Sequence, residues 1–180
     1  EHFAPNTEEK DLAEYGMMIW GNLNYNYSEA AMAYNESGKS NFKGISYQQR
    51  GWEVPHLVGY MESHDEERLM YKNLQFGNSS PDGEYDITDF TTALFRIEQA
   101  AAFFFTIPGP KMIWQFGEMA YDFSIDYNGR VGNKPIRWDY YFNRTRLRSV
   151  FSTFIKLKQI QPAFSTDDFS LSLNGAMKRI

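Results

Sequence analysis

Three short apolar runs constrain this chain more than any other feature: Met17-Met18-Ile19-Trp20, His56-Leu57-Val58-Gly59-Tyr60-Met61 and Lys111-Met112-Ile113-Trp114-Gln115-Phe116. Each has Gly or Pro at its border, and segments with helical spacing lie between them. Strands that alternate with helices imply a parallel sheet, because parallel neighbours need a crossover connection. A continuous apolar run also implies a strand covered on both faces, and residues 17–20 are expected to be buried that way.

The remaining elements follow from local signals. Thr7 reads as the cap of a helix over 8–15, and Ser28 as the cap of a second over 29–34. Residues 35–49 are polar and carry Gly and Ser, as a loop would. The spacing over 86–106 predicts a helix that becomes nearly all apolar at Ala100-Ala101-Ala102-Phe103-Phe104-Phe105 and stops before Pro108-Gly109-Pro110. A long aromatic loop over 117–143 leads to a helix over 144–161, ended by Pro162. The alternation Phe169-Ser170-Leu171-Ser172-Leu173 before Asn174-Gly175 reads as a strand entering a hairpin. The chain begins at Glu1 and ends soon after that hairpin, which reads as a fragment cut from a longer protein.

Composition removes several function classes. Hydrophobic residues make up 42% of the chain and charged residues 23%, enough apolar mass for a core and too little charge bias for a disordered tail. No apolar stretch is long enough to span a bilayer. Eighteen Lys and Arg stand against 23 Asp and Glu, a net charge of -5 with scattered cations, which argues against a nucleic-acid partner. The absence of cysteine excludes disulfides, thiolate metal sites and thiol catalysis.

Just after the second run, Glu62, His64, Asp65 and Arg68 crowd into one short segment at the expected mouth of the sheet. Ligand sites of α/β folds lie beyond the carboxyl ends of their strands. A carboxylate beside an arginine favours its charged form, and a neighbouring histidine can donate to hydroxyl groups. The same residues also suit a solvated acidic helix start with an ordinary surface ion pair.

Tyr60-Met61-Glu62-Ser63-His64-Asp65-Glu66-Glu67-Arg68 resembles the seventh-strand signature of the α-amylase family of glycoside hydrolases, with Ser63 where that family has Asn. Residues 106–118, a Pro-Gly turn leading to an apolar strand and Gly117-Glu118, look like the eighth strand. Lys134-Pro135-Ile136-Arg137-Trp138-Asp139 is similar to the segment that follows it, and Glu1-His2-Phe3 to the fifth-strand motif. The resemblance implies an α/β fold: residues 1–163 as the second half of a (β/α)8 TIM barrel, and 164–180 as the start of a β-sandwich domain. A whole barrel takes about 250 residues.

The resemblance further implies cleavage of α-1,4-glucosidic bonds in starch-like glucans or maltooligosaccharides, with retention of configuration. By motif position Glu1 would be the general acid/base and Asp65 the third carboxylate. His64 would bind the same sugar, with Trp114 and Tyr121 as substrate-facing aromatics and Arg68 as a supporting residue. The nucleophile would lie upstream of Glu1, so the chain is expected to be inactive without the missing first half of the barrel. No cofactor is required, although some members bind Ca2+; Asp122, Asp126, Asn128 and Asp139 are the oxygen-bearing side chains of the aromatic loop, and they also suit solvated acids. A polymeric substrate implies an extracellular or periplasmic location. The alternative is a catalytically silent relative that binds α-glucan.

Overall fold

The computed structural model describes residues 4–180. Glu1-His2-Phe3, with the acid/base role assigned to Glu1, lies outside the described residues. Three parallel strands form one sheet in the order β1 (Ile19–Asn22), β2 (Leu57–Tyr60) and β3 (Lys111–Met112). Ile19 stands opposite Leu57 and Asn22 opposite Tyr60, while Gly59 faces Lys111. The expectation of a half TIM barrel followed by a β-sandwich is therefore corrected: the described chain is an α/β unit around a three-stranded parallel sheet.

Particular residues account for the difference. β3 ends after two residues, and the chain turns into a short 3-10 segment flanked by Phe116 and Ala120, both at left-handed φ. The run expected to continue to 116 thus leaves the sheet early. At the other edge Met17 and Met18 are exposed and precede the strand, and β1 alternates buried Ile19 and Gly21 with exposed Trp20 and Asn22. It is a one-sided edge strand, not one covered on both faces. At the C-terminal end, the expected strand is reduced to one antiparallel bridge, Ser172 with Arg179. Leu173 instead enters the main core, and its carbonyl accepts from Phe42 N at 3.2 Å.

Helices α1 (Asn6–Glu14), α2 (Asn24–Ala31), α3 (Leu69–Phe76), α4 (Phe90–Thr106), α5 (Tyr140–Asn143) and α6 (Thr145–Ile160) surround the sheet. Two of the expected caps move. Thr7 lies inside α1, which starts after Pro5, and Ser28 is a fully buried position within α2. Asp89 caps α4, accepting from Thr92 N at 2.9 Å. α3 was hidden in the sequence by the polar residues just before it.

Aromatic packing joins these helices. Tyr27 of α2 stacks on Phe42 with ring centroids 4.1 Å apart and meets Phe104 of α4 edge-on at 5.8 Å. Phe105 makes a second edge-on contact, with Phe151 of α6, at 5.4 Å. Such contacts add to the burial term that dominates folding.

The turn from α4 into β3 places two lysines in apolar surroundings. Lys111 Nζ donates to Gly109 O at 2.9 Å and lies 5.8 Å from the Phe104 ring centre. Lys158 Nζ, from α6, donates to Ile107 O at 2.9 Å. Lys158 thus satisfies the C-cap carbonyl of α4, where the helix dipole also favours a cation, and Lys111 a carbonyl of the turn that follows. Burial, reinforced by the like charge of Lys158, pushes the Lys111 ammonium well below the ordinary lysine range. Burial alone lowers that of Lys158 to about 8.

A lowered ammonium pKa means that the folded state binds fewer protons than the unfolded chain between that value and the ordinary one, so stability rises with pH across the window. For Lys158 the window opens at about 8. Urea titrations from pH 7.5 to pH 10 should show Lys158→Met losing part of this rise, so that the gap between variant and wild type changes with pH. Parallel pH curves would refute the assignment.

Candidate functional site

The polar cluster lies where β2 runs out. Glu62 and Arg68 form its buried base. Arg68 Nη1 donates to Glu62 Oε2 at 2.9 Å, and its Nη2 donates to Gln115 O at 2.7 Å. The second Glu62 oxygen accepts from Leu69 N, the first residue of α3, at 2.8 Å. Both side chains are 9% exposed, so the pair is shielded from water, and both carboxylate oxygens and both terminal guanidinium nitrogens have a partner. Gly117 has no side chain where a Cβ would lie 2.9 Å from Glu62 Oε2, which gives the carboxylate its room. Arg68, expected as a supporting residue, thus ties the end of β2 to α3 and to the chain leaving β3.

His64 and Asp65 project from this base. His64 Nε2 is 3.2 Å from Asp65 Oδ2, and the two side chains are 62% and 54% exposed. The His64 ring lies 5.7 Å from that of Trp114 at a tilt of 51°. Ser63 Oγ accepts from Asp65 N at 3.2 Å and donates to Glu66. A hydroxyl therefore serves the turn where the resembled signature has an amide.

A cleft of about 580 Å³ opens beside these residues, lined by His64, Glu66, Arg68, Trp114, Tyr121 and the loop from Phe123 to Ile136. Asp65 is not among the lining residues, although its neighbours His64 and Glu66 are. Tyr121 is only 2% exposed and its hydroxyl donates to Pro135 O at 2.6 Å. Its ring lies 4.9 Å from the Arg68 guanidinium carbon and stacks with Phe116 at 5.8 Å. Burial raises the Tyr121 hydroxyl pKa above the ordinary phenol value. Tyr121 forms part of the cleft floor with its hydroxyl already engaged, while Trp114 offers a partly open face.

Several site residues have no local sequence signal. Arg130, 65 positions from Asp65, donates from Nη2 to Asp65 O at 2.7 Å and lies 3.8 Å from Asp65 Oδ1. Glu67 holds the start of the aromatic loop: its oxygens accept from Ser124 Oγ at 2.7 Å and Ile125 N at 3.0 Å. Asn22, at the end of β1, donates to Glu66, and Asn24 Nδ2 donates to Met61 O at 2.9 Å and Glu67 O at 2.8 Å. Their side chains mark all of these only as polar residues; the approach of the strand ends shows that they converge.

Two of the loop acids, Asp122 and Asp139, are engaged by other side chains. Asp122 accepts from Tyr140 and pairs with Arg144 at 2.7 Å, and Asp139 pairs with Arg137 at 2.6 Å. Among the described residues no group of three His, Cys, Asp or Glu side chains converges as metal ligands. Among the same residues no helix is long and apolar enough to cross a membrane.

A scan against protein-family models finds no match to the chain, and a search of curated proteins finds no relative.

Truncating one partner of a buried, hydrogen-bonded ion pair leaves the other charge stranded, at a cost of about 3 to 5 kcal/mol. Glu62→Ala and Arg68→Ala should each lower stability in urea by about that much. The pair Glu62→Leu with Arg68→Met should lose clearly less than either single truncation. Equal losses in all three would show that space filling, not charge pairing, holds this corner.

Proposed function

We propose that the chain contributes to a retaining glycoside hydrolase acting on α-1,4-glucosidic bonds of starch-like glucans or maltooligosaccharides. The observation that supports this reading most is the pairing of an exposed His64–Asp65 couple with the partly open face of Trp114 at the edge of one cleft. Sugars present hydroxyl groups around a ring with apolar faces, so a site for them needs acceptors, donors and a flat aromatic surface.

In this reading Asp65 accepts hydrogen bonds from the hydroxyls of one glucosyl unit, and His64 donates to the same unit. Hydrogen bonds of this kind strengthen as the ring distorts toward an oxocarbenium-like transition state. Trp114 stacks on a ring face, and Arg130, which lines the cleft, holds the Asp65 backbone and lies 3.8 Å from its carboxylate. Tyr121 and Arg68 act beneath, as the floor. The motif order assigns the general acid/base to Glu1 and the nucleophile to a residue upstream of it, with the two carboxyl groups of a retaining pair about 5 Å apart.

Asp65→Asn keeps the size of the side chain and removes its charge. In the full-length protein that carries this chain, it should lower reducing-sugar release from maltoheptaose by about a hundredfold to a thousandfold, the range for losing one electrostatic stabiliser of a transition state. Circular dichroism should show an unchanged fold. Turnover near the wild-type level would overturn the assignment. A wild-type protein that binds maltoheptaose and releases no sugar would support the alternative, a glucan-binding relative without catalysis.

A further inference from the structure

Four backbone carbonyls of a single loop turn inward on one side-chain nitrogen. Lys134 Nζ lies 2.6 Å from Gly129 O, 2.8 Å from Tyr127 O, 3.0 Å from Gly132 O and 3.4 Å from Arg130 O. An ammonium has three protons, so the three short contacts saturate it and the Arg130 carbonyl is a longer fourth ligand. The loop reverses direction there, with Asn128 and Gly129 at φ 57° and 76°. Carbonyl dipoles gathered on one side of such a turn repel one another unless a positive charge sits between them.

The loop is fastened at both ends. Glu67 holds Ser124 and Ile125, and the Tyr121 hydroxyl holds Pro135. Between these points Val131 is fully exposed. The same segment carries Arg130, which reaches both the backbone and the carboxylate of Asp65.

We propose that Lys134 is a positioning residue: its ammonium is a tethered cation that shapes residues 127–134 and so holds Arg130 against Asp65. A cage of carbonyls alone suits a monovalent ion, as carbonyl rings replace the hydration shell of K+. Ca2+ takes six to eight oxygens and usually carboxylates among them. The oxygen cage left by truncating the lysine should therefore accept K+. The shaping of the loop stands independently of the glycosidase reading, whereas its effect on sugar binding rests on it.

The test uses the full-length protein and its Lys134→Ala variant. Trypsin cleaves poorly before proline, so within this loop it reads the Arg130–Val131 bond and ignores Lys134–Pro135. Cleavage there follows the population of the open loop, and it should rise by about tenfold or more in Lys134→Ala. Addition of about 100 mM KCl should return the variant toward the wild-type rate, whereas choline chloride at equal ionic strength should not. Lys134→Arg should also be cut faster, because a planar fork cannot serve four converging carbonyls. Cleavage of Lys134→Ala within about twofold of wild type, or equal rescue by choline, would overturn the proposal.

Maltoheptaose binding supplies the second measurement. Lys134→Ala should weaken it, K+ should restore it, and Lys134→Ala combined with Arg130→Met should bind no more weakly than Arg130→Met alone, since coupled residues do not add. Additive losses would overturn the role through Arg130. If the wild type does not bind maltoheptaose, the glycosidase reading falls, and tryptic cleavage still decides the role of Lys134.

Discussion

The ion pair between Glu62 and Arg68 carries the geometry of the whole sheet mouth. One carboxylate receives the guanidinium of Arg68 on one oxygen and the first amide of α3 on the other. The same guanidinium grips the carbonyl of Gln115 and lies against Tyr121. Two stretches distant in sequence, residues 62–69 and 115–121, are thereby fixed relative to one another by two side chains. Burying charge is costly, and here the cost is offset by partners on both carboxylate oxygens and on both terminal guanidinium nitrogens. His64 and Asp65 remain exposed and close together because the residues on either side of them are held in this way.

A division of labour between neighbours follows. Within a stretch of seven residues, Glu62 and Arg68 are structural, Ser63 and Glu66 brace the turn, Glu67 anchors a remote loop, and His64 and Asp65 face solvent. All but Ser63 are charged or titratable, and their roles differ because their burial differs. The aromatic side chains of the cleft divide similarly: Tyr121 is sealed with its hydroxyl satisfied, while Trp114 keeps a face open beside His64.

The sequence made legible those elements whose signals are local. The helix ending before Pro108 and the one ending before Pro162 lie close to where proline and apolar spacing put them, and the β2 run was read to within a residue at either end. The polar cluster after β2 was also visible, since crowded charge beyond an apolar strand is a local pattern. Sheet extent was not legible. Nothing in Lys111 to Phe116 says that pairing stops at Met112, because the stop is imposed by the left-handed turn at Phe116 and by its packing against Tyr121. The exposure of Met17 and Met18 likewise depends on β1 lying at a sheet edge, a fact of strand order that composition does not contain. Arg130 and Lys134 were invisible for the same reason: their partners are backbone groups and a carboxylate brought near by folding.

The two lysines at the turn between α4 and β3 have a bearing on covalent chemistry. Acylating reagents attack only the free base of an amine, and an ordinary lysine at neutral pH presents almost none. Lys158, lowered to about 8, carries its free base on about a tenth of molecules at pH 7. Burial limits access to that amine at the same time as it creates its nucleophilicity. An opening that exposed Lys158 would remove the burial that lowers its pKa, so access to this amine and its free-base character trade against each other.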